Sequence, residues 1–361
     1  PGFKGSRLVD EKGRIAWLTA SQLLARRSPL RPLWCDHRPD YSGLRPDGVL
    51  DSVTLPLLPI GQRVYAPLLC GLQEQQAARG RILGMGWDWR QAPWRAAPRL
   101  DRLVQRAGDQ GARCVHIVSH SLGALVAAWW LLYGDSTPEH PVRRTPGGVP
   151  LRWTVVTGAF GGSAKMFRVL QIGDQVARNR HLLDATTLAM FESSWVLLPR
   201  GGFVCDERSS PWPAPLNRIE TWQKAGWRPF EADTADALPG IAAWAQSMMR
   251  QADAFYRLVE EGERPADLES VVNVISRQRA TLHHVFAYPD GRLVLTAQAR
   301  DAEPAFRGKS MSAPGDATLT TDAMQLPLPF REGAVVQRID AEHVGILGSP
   351  NLLEAILQNS A

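Results

Sequence analysis

Between residues 81 and 157 the hydrophobic pattern switches back and forth between two periods. Residues 81–85, 114–118 and 151–157 are short apolar runs of the kind that form buried strands. Residues 98–112 place Leu100, Leu103, Val104 and Ala107 at helical spacing, and 122–133 are apolar almost throughout. Strand and helix in alternation predict an α/β fold, a mostly parallel sheet with helices on both faces. The rhythm then stops. From 162 to about 282 the chain reads as helices and Pro/Trp-rich loops, its clearest element being a helix over 241–259 with Ile241, Trp244, Met248, Ala252, Phe255 and Val259 on one face. Strands resume at 284–288, 292–297 and 334–339, and a helix over 351–358 ends the pattern. This predicts one domain over 1–361 with a helical cap inserted at 164–282, and no internal repeat.

Composition narrows the picture. The 361 residues are 44% hydrophobic, enough for a sizeable core, and the net charge of +5 comes without Lys/Arg runs. No nucleic-acid footprint is visible. The longest apolar stretch, 123–132, is too short for the roughly 20 residues of a membrane span. Cys35, Cys70, Cys114 and Cys205 have no metal-ligand spacing; Cys114 reads as a buried thiol, and a Cys35–Cys70 bridge stays open. Compartment and oligomeric state also stay open. The sequence opens on a turn-like Pro1-Gly2-Phe3-Lys4-Gly5 with no strand before it, so a first core strand and any targeting signal are expected upstream.

The chemistry concentrates at Ser119-His120-Ser121-Leu122-Gly123, between a buried strand and an apolar helix. A sharp strand-to-helix turn lifts a serine hydroxyl above a sheet, and small residues two before and two after it allow the close approach. The usual first glycine is Ser119 here. The helix behind Ser121 aims N–H dipoles where an oxyanion would form. A serine needs a base, and the base an acid to orient it, in the chain order Ser, Asp or Glu, His. His343, in a loop between a strand and the last helix, suits the base better than His283 or His284 at the head of a strand. Asp301, Asp316, Asp322 and Asp340 are the candidate acids; Asp316, in a turn after a strand, is favoured, with an Asx-turn as its alternative role.

Other classes fail on their motifs. Gly308-Lys309-Ser310 ends like a phosphate loop but position 303 is Glu, and Gly84-Met85-Gly86 lacks a third glycine at 89. No metal cluster and no cofactor motif is present, so neither is expected.

Six separated segments occur in one order: Pro1-Gly2-Phe3-Lys4-Gly5-Ser6, Trp87-Asp88-Trp89-Arg90, His120-Ser121-Leu122-Gly123, Gly158-Ala159-Phe160-Gly161-Gly162-Ser163, Gly315-Asp316-Ala317-Thr318 and Ala341-Glu342-His343. Together they resemble the lecithin:cholesterol acyltransferase family, which includes phospholipid:diacylglycerol acyltransferases and related phospholipases. The resemblance implies an α/β-hydrolase fold and an acyl-enzyme, formed from a lipid ester and passed to an alcohol or water. It implies a triad of Ser121, His343 and Asp316, and an oxyanion hole from the backbone N–H groups of Phe3 and Leu122. It also implies a movable lid from about 164 to 186. Trp87, where the family often has Tyr, and Phe160, in place of a Pro-Trp pair, fall at substrate-binding positions. The implied partner is a lipid, at a membrane surface if the enzyme is peripheral. A general carboxylesterase or a non-catalytic binding module of the same fold are the alternatives.

Overall fold

The computed structural model describes residues 1–19, 22, 43–54, 61–76, 80–176, 179–230, 240–298 and 302–360. Its centre is a four-stranded parallel sheet of β1 (Val115–His120), β2 (Leu151–Val156), β3 (Leu268–Ile275) and β4 (Val335–Arg338), lying side by side in chain order. Alternate side chains leave opposite faces. Val155 and Val271 enter the larger core, while Val156, Val272 and Val274 enter a smaller one on the other side.

Helix α1 (Pro93–Asp109), helix α2 (Leu122–Tyr133) and helix α3 (Ile241–Glu260) supply the larger core. Every residue of α2 is buried, as an all-round apolar helix requires. Trp129 of α2 stacks on Phe255 of α3 with ring centroids 5.3 Å apart. On the opposite face, α4 (Pro350–Ser360) and the helix Ala66–Gln76 cover the smaller core through Leu352, Ile356, Leu68 and Leu72. An antiparallel sheet of Ile15–Trp17, Ser6–Val9 and Arg45–Val49 flanks the start of the chain.

Several expectations change. Helix α1 starts at Pro93, five residues early, because proline is well suited to the first helical position. Residues 81–85 form no strand: they run unpaired along a void of about 680 Å³ that separates them from β1. A strand needs a neighbour for its backbone groups, and none of the described residues provides one there. The segment 164–282 is not helical throughout. It holds a two-stranded hairpin (Asp174–Val176 with Asn179–Leu183), several short helices and, at its end, β3, which is an inner strand of the sheet. The expected strand at 292–297 shrinks to Leu293–Val294. Cys114 is exposed, since it precedes β1 rather than entering it; Cys70 and Cys114 are free, and Cys35 lies outside the described residues. Among the described residues no helix is long and apolar enough to cross a membrane.

Candidate active site

Ser121 sits in the bend between β1 and α2 at φ 54° and ψ −124°, a left-handed conformation that a serine adopts only when its surroundings impose it. Two glycines make room for the bend. A methyl group on Gly123 would lie 2.6 Å from the Pro1 carbonyl oxygen, and one on Gly2 would lie 2.7 Å from Ser121 Cβ. The turn at the start of the chain is therefore pressed directly against the serine.

His343 and Asp316 reach the same point. His343 Nε2 is 2.8 Å from Ser121 Oγ, and Nδ1 is 2.6 Å from Asp316 Oδ2. Thr157 Oγ1 lies 3.4 Å from the same Nδ1. The carboxylate of Asp316 is fully buried, and its other oxygen accepts from the backbone N–H groups of Thr318 (2.9 Å) and Leu319 (2.7 Å). The two roles considered for Asp316 are thus compatible: one oxygen closes an Asx-type turn and the other faces the imidazole. Thr281 Oγ1 accepts from Ala317 N–H at 2.9 Å and holds that turn in its left-handed bend. The other described acids point elsewhere. Asp322 is exposed on a short turn, and Asp340 pairs with Arg338; Asp301 lies outside the described residues.

Leu122 and Phe3 flank the serine, one next in the chain and the other following Gly2. Among the described residues neither backbone N–H has a protein acceptor. Leu122 is the first residue of α2, whose N–H has no partner within the helix, and Phe3 lies on the turn pressed against Ser121, so both N–H groups are free to meet an oxyanion beside the serine. Trp87 and Phe160 are both buried. The Trp87 indole N–H donates to the Pro1 carbonyl (2.9 Å), and Phe160 packs edge-on against Trp153. Behind Trp87, Arg90 and Asp88 form a buried two-point ion pair (2.9 and 2.7 Å).

Sequence reasoning passed over Tyr65 and gave His120 no role beyond the motif. Tyr65 Oη accepts from the Gly2 N–H and contacts His120 Nδ1, each at 2.8 Å. His120 Nε2 in turn lies 2.9 Å from the His343 carbonyl oxygen. Burial first, and then the neighbouring His343, push the His120 imidazole well below its ordinary pKa, so it is neutral; burial raises the Tyr65 phenol. The signal for His120 was its place next to Ser121. Tyr65 carried none, since it meets the site only through the fold.

No family model and no curated protein sequence matches the chain. Among solved structures, a chain from the crystal structure of the Tle4–Tli4 complex is similar to this one, with a TM-score of 0.61 at 14% identity, over 100% of this chain and 97% of that one. At that identity the likeness is one of fold: a mixed α/β architecture shared along the whole chain.

Proposed function

We propose that this chain is a serine-dependent lipid ester hydrolase or acyltransferase of the α/β-hydrolase fold, related to the lecithin:cholesterol acyltransferase family. The observation that carries this reading is the unbroken hydrogen-bonded line from Ser121 Oγ through His343 to the buried carboxylate of Asp316. In this mechanism His343 takes the Ser121 proton as the oxygen attacks the ester carbonyl. The N–H groups of Phe3 and Leu122 take up the charge on the carbonyl oxygen. His343, now an imidazolium stabilised by Asp316, gives its proton to the leaving alcohol, which leaves an acyl-Ser121 ester. Water or a second alcohol then attacks that ester by the same steps in reverse, restoring the free serine. Access of water to the acyl-enzyme decides between hydrolysis and transfer.

The lipid side of the reading rests on the six ordered segments and on the buried tryptophans of the inserted segment, Trp195, Trp222 and Trp227. The test is labelling by a fluorophosphonate, with Ser121→Ala as control, followed by incubation with labelled phospholipid with and without a sterol or diacylglycerol acceptor. Labelling at Ser121 with release of fatty acid or of acylated acceptor is the expected result. Turnover confined to short soluble esters would favour a carboxylesterase. A folded protein that neither labels nor turns over would be a binding module.

A further inference from the structure

The hydrogen-bond chain through Tyr65 and His120 joins the three parts of the site, and its proton directions are determined. Gly2 N–H can only donate, so it occupies a lone pair of the Tyr65 oxygen. Tyr65 then has one proton left, which goes to His120 Nδ1. With Nδ1 accepting, the ring proton of neutral His120 sits on Nε2 and goes to the His343 carbonyl oxygen. Both residues are only 6% exposed, which leaves little solvent to compete for these bonds.

What the chain connects gives it meaning. At one end stands Gly2, pressed on Ser121 and followed by Phe3, whose N–H has no acceptor among the described residues. At the other stands the backbone of His343, in a loop otherwise tied here by its own N–H to the Asp316 carbonyl (3.0 Å). In the middle, His120 is the residue before Ser121. Resting on the hydrolase reading above, we propose that Tyr65 and His120 are positioning residues, which hold the oxyanion-binding turn and the base loop at one mutual distance across the nucleophile. In this role they act through Gly2 and His343 and not on the substrate. The device matters in the transition state, when the oxyanion and the imidazolium form together and a small misplacement of either weakens both. A neutral ring at 120 also avoids placing a second positive charge beside the His343 imidazolium, whose ring centroid is only 4.8 Å away.

The experiment compares Tyr65→Phe and His120→Gln with the parent protein on a soluble p-nitrophenyl ester. Folding is checked by circular dichroism and thermal melting, and affinity is measured for a trifluoromethyl ketone, which mimics the tetrahedral intermediate. Tyr65→Phe keeps the ring's packing and removes only the relay. The expected result is a fall in kcat of about 10- to 100-fold with KM nearly unchanged. Ketone affinity should fall by the same factor, and the double variant should be no worse than the weaker single one. Unchanged kcat in a folded Tyr65→Phe protein would overturn the proposal. So would additive losses in the double variant, or a rise in KM without loss of ketone affinity. A parent protein with no Ser121-dependent turnover would remove the hydrolase reading and this role together, whereas active parent and active variants would remove this role alone.

Discussion

At the scale of single residues, the site depends on how a few polar atoms are shared. Ser121→Ala should abolish fluorophosphonate labelling and lower ester turnover by at least about 1,000-fold while leaving the melting temperature near that of the parent, since it removes one hydroxyl and keeps the Cβ on which the cost of the positive φ depends. Asp316→Asn is a finer probe. Its Oδ1 already accepts two backbone N–H groups, so the Asn amide nitrogen must face either those donors or the His343 Nδ1 proton. Turnover should fall by about 10⁴-fold, and Asp322→Asn, on an exposed turn, should change little; steady-state kinetics on both variants would expose a wrong assignment if Asp322 proved the essential one. These residues were legible because each sits in a local motif. Tyr65 and Thr281 were not: nothing beside them in sequence hints at a partner more than thirty positions away.

Among the elements, the chain announced those whose burial is one-sided or complete and hid those whose state depends on neighbours. Helix α2 coincides with its apolar run, and α3 with its stripe. Strand β3 escaped notice because Asn273 and Ser270 break what should be a continuous apolar run for an inner strand. Asn273 is nonetheless almost fully buried, its amide donating to the Met324 carbonyl at 3.2 Å. Residues 81–85 failed in the opposite way, carrying strand-like side chains without a partner for the backbone.

Two predictions belong to this scale. Gly123→Ala would drive a methyl into the Pro1 carbonyl and displace the turn that carries Phe3, so activity should drop steeply while helix content, followed by far-UV circular dichroism, is kept. The second concerns the clasp of α4 onto the sheet, where His116 bridges Ser360 Oγ (2.7 Å) and Thr154 Oγ1 (2.8 Å). Burial, and secondarily Arg152, lower the His116 pKa to about 4. Between that value and the ordinary 6.5 the unfolded chain binds the extra proton, so stability is complete above about 6.5 and is lost as the pH falls toward 4. The loss attributable to His116 should be about 3 kcal/mol at about 1.4 kcal/mol per unit. Urea unfolding across this range should be flatter for His116→Asn than for the parent.

For the molecule as a whole, the inserted segment and the sheet share one interior. Phe255 of α3 touches both Trp129 and Trp94, while Glu192, from the insertion, is buried and accepts from Arg95 and from the Ala92 N–H on the other side. A cap joined so closely should not melt by itself. Calorimetry should record one transition, and Phe255→Ala should lower its stability by about 3–5 kcal/mol without splitting it. A separate low-temperature peak in that variant would mean that the cap unfolds independently. The overall α/β plan was readable from the alternation of periods. The joining of cap and sheet was not, because Phe255 reads in sequence only as part of one helix's apolar stripe, and its partners Trp94 and Trp129 lie more than a hundred positions away.

The clustering of indoles has an optical consequence. Trp17 and Trp89 have ring centroids 5.0 Å apart, Trp195 and Trp222 5.6 Å, and Trp212 and Trp227 5.4 Å. Chromophores at such spacings couple their excited states, so light absorbed by one ring is shared with its neighbour. The near-ultraviolet dichroism of this protein should therefore be a collective signal of ring-to-ring geometry. It should fade as soon as side-chain packing loosens, even where the helices persist. The protein thus carries its own spectroscopic gauge of interior order, readable without any added dye.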